Sequence, residues 1–145
     1  AWIMLLCLLA ACLLLIIAIL LHRRHAARRL QVAHHQIEDL SISAQLSNIR
    51  ATYPRPRKQW NDYNELKKDL EPQLHDWLSQ LETYQLSNRE NVFCTYLLLY
   101  PNASLEDLAD WMHYSATGVS TFKRRIAQKI GIPTRELYQF LYEML

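Results

Sequence analysis

Eight polar side chains crowd one stretch near the C-terminus: Thr117, Ser120, Thr121, Lys123, Arg124, Arg125, Gln128 and Lys129. No acid occurs anywhere between Ala116 and Ile130. On a helix turning about 100° per residue, Thr117, Ser120, Thr121, Arg124 and Gln128 fall on one face. Val119, Phe122, Ile126 and Ile130 fall on the other. Small hydroxyls early in such a helix permit close approach to the edges of bases, and the fork of Arg124 matches guanine O6 and N7. Arg125 and Lys129 lie off to the side, where phosphates would pass, and Lys123 adds a fourth cation. The chemistry of this stretch is that of a helix reading a nucleic-acid groove.

Other reactive residue types do not converge. His34 and His35 precede Gln36-Ile37-Glu38, faintly like the phospho-acceptor helix of a sensor kinase. That helix requires an acid directly after the histidine and a proline soon after, and both are missing. His22 with His25, or His34 with His35, lacks a second ligand pair at helical spacing, so these are expected to be solvated helix-face histidines and no metal is expected. Cys7 and Cys12 lie in an apolar run and Cys94 in a mostly apolar stretch, which gives no disulfide framework and no zinc site. Two glycines, Gly118 and Gly131, are too few for a Walker loop or a GxGxxG loop. With no carboxylate pair and no Ser/His/Asp set, neither an enzyme nor a cofactor is expected.

The basic stretch needs elements to hold it. Ser87-Asn88-Arg89-Glu90 is a capping box that opens a helix through Val92, Phe93, Tyr96, Leu97 and Tyr100. Ser104 caps a short helix with acids in its first turn and Leu105, Leu108, Ala109 and Met112 facing inward. That helix stops at His113-Tyr114-Ser115. Ser115 caps the basic helix from Ala116 to Ile130, Gly131 supplies its left-handed C-terminal residue, and Pro133-Thr134 begin a last helix. Two helices joined by a three-residue turn, the second basic, form the plan of a helix-turn-helix, here at about 104–131. Upstream, Trp60, Tyr63, Leu66, Leu70, Leu74, Trp77, Leu81 and Tyr84 recur at steps of three and four. Pro72 suits the first turn of a new helix, so two helices are expected, about 59–70 and 72–84. Residues 59–145 hold eight basic against twelve acidic residues, net −4, which argues against indiscriminate nucleic-acid binding. The cations are instead concentrated on one helix.

The N-terminal residues 1–21 contain no charged or polar side chain. A helix of that length spans about 30 Å, the thickness of a bilayer's hydrocarbon core. The charge order is the reverse of a signal peptide, because the apolar run is followed by His22-Arg23-Arg24-His25-Ala26-Ala27-Arg28-Arg29. Four arginines there would hold anionic headgroups and put the C-terminal side in the cytoplasm, the span lying in the inner membrane. The chain opens on Ala1 directly at this run, and an extracytoplasmic segment is expected to precede it. Ala26, Leu30, Ala33, Ile37, Leu40 and Ala44 then step by four and three, the spacing of a coiled-coil seam. That seam reads either as a dimerising rod or as one amphipathic helix lying on its own domain. Residues 22–52 are the linker, and Pro54 and Pro56 make 53–58 an extended boundary. The cluster Arg55, Arg57 and Lys58 can meet either lipid or nucleic acid.

Leu86-Ser87-Asn88-Arg89-Glu90, Leu105-Glu106-Asp107-Leu108-Ala109-Asp110-Trp111-Met112, Ser115-Ala116-Thr117-Gly118-Val119 and Arg125-Ile126-Ala127-Gln128-Lys129-Ile130-Gly131 follow in order. Together they resemble the LuxR/NarL-type output domain, whose pattern is approximately L-T-x-R-E, E-I-A-x-x-L, S-x-x-T-V and I-x-x-K-L-G. The resemblance covers residues 86–131. Trp60 and Leu137-Tyr138-Gln139-Phe140-Leu141 resemble a bacterial branch that joins extracytoplasmic tetratricopeptide repeats, one membrane helix, a coiled coil and this output domain. The resemblance implies that Ser120, Thr121 and Arg124 face DNA and that the final helix helps dimerise. Gly118 stands where that family commonly has threonine, and Phe122 where it commonly has a polar residue.

The sequence therefore predicts an all-α chain: a transmembrane helix at 1–21, a coiled-coil linker and a small helical bundle at 59–145 with a helix-turn-helix. Its expected partners are double-stranded DNA, membrane lipid and a second copy in a homodimer. A membrane-tethered adaptor, with the basic helix meeting an acidic protein, is the other reading.

Overall fold

Neither glycine nor proline occurs between Trp2 and Thr52. The computed structural model, which describes residues 1–145, runs this stretch as one uninterrupted helix, α1 (Trp2–Thr52). The chain is all-helical, with six α-helices and no strand. It divides into two compact units, residues 1–43 and 44–145.

In the first unit, α1 is long and apolar enough at its N-terminal end to cross a membrane. Along the linker part, Leu30, Ile37 and Leu40 are 71%, 64% and 71% exposed, so the apolar seam meets nothing within this chain. His34 pairs with Glu38 at 3.2 Å and His35 with Asp39 at 4.0 Å, each one helical turn on and open to solvent.

The second unit begins before the prolines. Leu46 and Ile49, in the last turns of α1, are fully covered. Arg50 turns its guanidinium onto the backbone, with Nε donating to the Leu99 carbonyl at 2.5 Å. That carbonyl is among those a helix end leaves without an amide. After Pro54 and Pro56 a short 3-10 turn (Lys58–Asn61) buries Trp60 completely. The Trp60 ring stands edge-on to Tyr53 at 4.9 Å.

The two helices expected at 59–70 and 72–84 are present as two helical segments of one element, but they meet later than expected, at a kink at Leu74. Asp62 caps Asn64 N at 3.0 Å, so α2 (Tyr63–Glu82) starts at Tyr63 and continues past Pro72 as one kinked element. Proline removes the amide that would bond four residues back. The non-helical residue is Leu74, with φ of −124° and ψ of 25°, so Pro72 lies in the last turn before the break. Every apolar residue expected to face inward here is buried except Tyr84, which is half-buried against Phe140.

Helix α3 (Asn88–Leu99) is the centre of the unit. Ten successive residues, Glu90 to Leu99, are buried, as expected of a helix covered all round. It packs against α2 and the last helix, α6 (Leu137–Glu143). Trp77 of α2 reaches the end of α6, its indole N–H donating to the Leu141 carbonyl at 2.8 Å. Helices α4 (Leu105–Met112) and α5 (Ala116–Ile130) pack on each other beside this core. A 3-10 turn (Thr134–Glu136) leads into α6.

Candidate nucleic-acid interface

Three serine caps set the ends that matter. Ser87 and Ser104 each form a reciprocal capping box, with Glu90 and Asp107 respectively. Ser115 Oγ accepts from Gly118 N at 3.0 Å. Between α4 and α5 the chain reverses through His113, in the left-handed region at φ 57°, whose amide bonds back into α4. Gly131 closes α5 at φ 90°. The limits of α4, its three-residue turn and α5 agree with the sequence expectation.

Aromatic contacts fix both helices on α3. Trp111 of α4 meets Tyr100 at 5.3 Å and Tyr96 at 6.1 Å. Phe122 of α5 stands edge-on to Phe93 at 5.4 Å and tilts against Tyr114 at the same distance. Phe122 is thus a wedge between α3 and the turn. Leu108, Ala109, Met112, Val119, Ile126 and Ala127 complete the buried seam. Leu105, expected inward, is 40% exposed: as the first residue of α4 it lies at the rim, past the neighbours that cover Leu108 and Met112.

The outward face of α5 carries the expected residues. Thr117, Ser120, Arg124, Arg125 and Gln128 are exposed, and Thr121 and Lys123 are half-exposed. None of the three cations Lys123, Arg124 and Arg125 has an ion-pair partner. Lys129 differs from them. Its ammonium lies 2.5 Å from Glu90 Oε1, whose side chain is only 5% exposed. Burial alone would push the Glu90 carboxyl up. Lys129 and the amide and hydroxyl of Ser87 outweigh that and hold it below its ordinary value. Lys129 therefore fastens α5 to α3, and its charge is engaged inside the unit.

Arg89 carries a role that the sequence pattern did not announce. Its Nη2 donates to the Met112 carbonyl at 2.5 Å and its Nε to the Tyr114 hydroxyl at 2.9 Å, with the guanidinium 4.8 Å above the Tyr114 ring. It thereby ties the start of α3 to the end of α4 and to the turn. Its place in the Arg89-Glu90 pair of the capping box was visible, but its partners lie more than twenty residues away. Cys94 is fully buried, and its thiol is pushed up by burial and by the nearby Glu90 charge. Tyr96, under the aromatic contact with α4, is pushed up to about 12 by burial, against the opposing charge of Arg89.

The arrangement offers an acid-free helix with hydroxyls at its start and free cations along its side, mounted on a capped neighbour. The three acids of α4, Glu106, Asp107 and Asp110, are exposed. No protein-family model, curated protein or solved structure matches this chain.

Proposed function

We propose that this protein is a single-pass membrane-anchored transcriptional regulator whose residues 44–145 bind duplex DNA. In this reading α4 and α5 are a helix-turn-helix of the LuxR/NarL type and α5 enters the major groove. Thr117, Ser120, Thr121, Arg124 and Gln128 meet base edges, and Lys123 and Arg125 meet phosphates. Lys129 belongs to the support of α5 through Glu90. The observation that carries the reading is the outward face of α5: acid-free, exposed, and with three cations lacking any ion-pair partner. The apolar N-terminal end of α1 is the inner-membrane anchor, with the arginines at 23, 24, 28 and 29 on the cytoplasmic side. The exposed seam at Leu30, Ile37 and Leu40 pairs two copies as a coiled coil.

The exposed acids Glu106 and Asp110 favour a second reading, an adaptor whose α4–α5 surface binds protein. One selection experiment separates the two. Full-length protein in zwitterionic nanodiscs is used to enrich duplexes from a random pool, alongside Arg124→Ala. The regulator reading expects an enriched sequence whose preference relaxes in the variant, at a cost of about 1–3 kcal/mol at one base pair. Absence of any enriched sequence at low salt sinks it and leaves the adaptor.

A further inference from the structure

The segment between α1 and α2 does more than link. Sequence alone leaves Arg55, Arg57 and Lys58 open to lipid or to nucleic acid, and the fold brings them to one place. Trp60 is buried, and its indole N–H donates to Asp69 Oδ2 at 2.8 Å. Arg57 Nη1 reaches the same oxygen at 2.8 Å. At the other end of the segment, the Tyr100 hydroxyl donates to the Tyr53 carbonyl at 2.7 Å. The segment is therefore pinned at both ends and cannot swing freely.

What it is pinned against is the turn between α4 and α5. Asn61 Nδ2 lies 3.4 Å from His113 Nε2, and His113 stands two residues before the Ser115 cap of α5. An open cleft of about 330 Å³ is walled on one side by Arg55, Pro56 and Lys58 and on the other by Asp110, Trp111 and His113. Arg57 is neutralised by Asp69, whose carboxyl is held below its ordinary value, the indole hydrogen bond of Trp60 being the largest cause. Arg55 and Lys58 are exposed and have no ion-pair partner. Two free cations on a fixed backbone thus stand beside the turn that leads into α5.

We propose that Arg55 and Lys58 form a second phosphate-binding patch, which clamps the DNA backbone flanking the groove that α5 enters. The inference rests on the reading of α5 as the groove-binding helix and adds a contact outside it. A duplex is wider than a helix, so a protein seated by one helix also meets the adjoining backbone. Lipid is the poorer fit, because the arginines directly after the apolar run already occupy the membrane edge and residues 22–52 intervene. Asp110 is the one acid on the cleft wall, and it opposes phosphate there. The patch therefore makes a prediction of unusual sign: removing that acid tightens DNA binding.

The test measures binding of a mixed-sequence duplex to the full chain in zwitterionic nanodiscs across a salt series. The variants are Arg55→Gln with Lys58→Gln, and Asp110→Asn. The double variant should bind about tenfold more weakly, with a log–log salt slope shallower by about 2 and an unchanged sequence preference. Asp110→Asn should bind several-fold more tightly. If the wild type binds DNA but the double variant keeps its affinity and slope, the patch is refuted while the reading of α5 stands. If the wild type binds no duplex, both fall. A parallel sedimentation with anionic vesicles covers the lipid alternative. Loss of vesicle binding with unchanged DNA binding overturns the proposal in favour of lipid.

Discussion

Lys123, Arg124, Arg125 and Lys129 carry the same charge within two turns of α5, but their surroundings divide them. Lys129 neutralises a buried carboxylate, whereas the other three face solvent without a partner. Substituting Lys129 by alanine should lower stability by about 1 kcal/mol, a modest figure because the lysine is half-exposed. Substituting Arg124 should leave stability within about 0.5 kcal/mol and act only on DNA binding. Urea unfolding of both variants, followed by tryptophan fluorescence, separates the roles. Equal losses would mean that Lys129 is not a strut. The pH dependence carries the same distinction. Glu90 is depressed in the fold, so its contribution is complete above its ordinary value of 4.5 and is lost as pH falls through the lowered one. Lys129→Ala removes part of that depression, so the variant should lose less stability than the wild type on acidification below 4.5. A parallel loss in the two proteins would exclude the coupling.

Helix α5 begins where a cap and a glycine share one small space. Ser115 Oγ accepts the Gly118 amide, and a Cβ added at Gly118 would lie 3.1 Å from that same oxygen. Alanine inside a helix is favoured over glycine by about 1 kcal/mol, and a serine cap contributes about as much. Gly118→Ala should therefore change stability by less than about 0.5 kcal/mol, because the propensity gain disturbs the cap. In a Ser115→Ala background the crowding oxygen is gone, and the same substitution should recover the full gain of about 1 kcal/mol. Thermal unfolding of the four proteins of that cycle reads the coupling, and strict additivity would refute it. Such local features are what sequence exposes. The caps at Ser87, Ser104 and Ser115 and the left-handed Gly131 are written within four residues of where they act, so α3, α4 and α5 were legible nearly to the residue. The place of the kink was not, because Pro72 suggests a break just before it, whereas the non-helical residue is Leu74. Nor were the Lys129–Glu90 pair, 39 residues apart, or the Arg89 latch, since no periodicity encodes contacts at that range. The outward face of α5 was recoverable from the wheel, whereas the pairing of Lys129 with Glu90 depended on where α3 lies.

At the scale of the whole molecule, the apolar stripe of the linker and the cationic face of α5 belong to different units, and a dimer would make each matter to the other. Leu30, Ile37 and Leu40 are more than 60% exposed, and pairing them with a second copy would remove that apolar surface from water. The seam is short and holds three alanines, so its association is weak unless the membrane restricts the partners to two dimensions. If residues 44–145 bind DNA as proposed, two such units tethered in this way would engage adjacent half-sites with an effective concentration set by the tether. Leu30→Lys with Ile37→Lys breaks the seam by charge at positions that are already exposed, and both lie outside residues 44–145. The fold of that unit should be untouched, as its unfolding midpoint would register. Cross-linking of the protein in lipid vesicles should show a dimer for the wild type and a monomer for the variant. Affinity for a duplex with two half-sites should fall about 100-fold, while affinity for a single half-site stays the same. A variant that remains dimeric would place the contact elsewhere. A monomeric variant with undiminished affinity for paired sites would show that each copy acts alone, and the seam would then have no part in recognition.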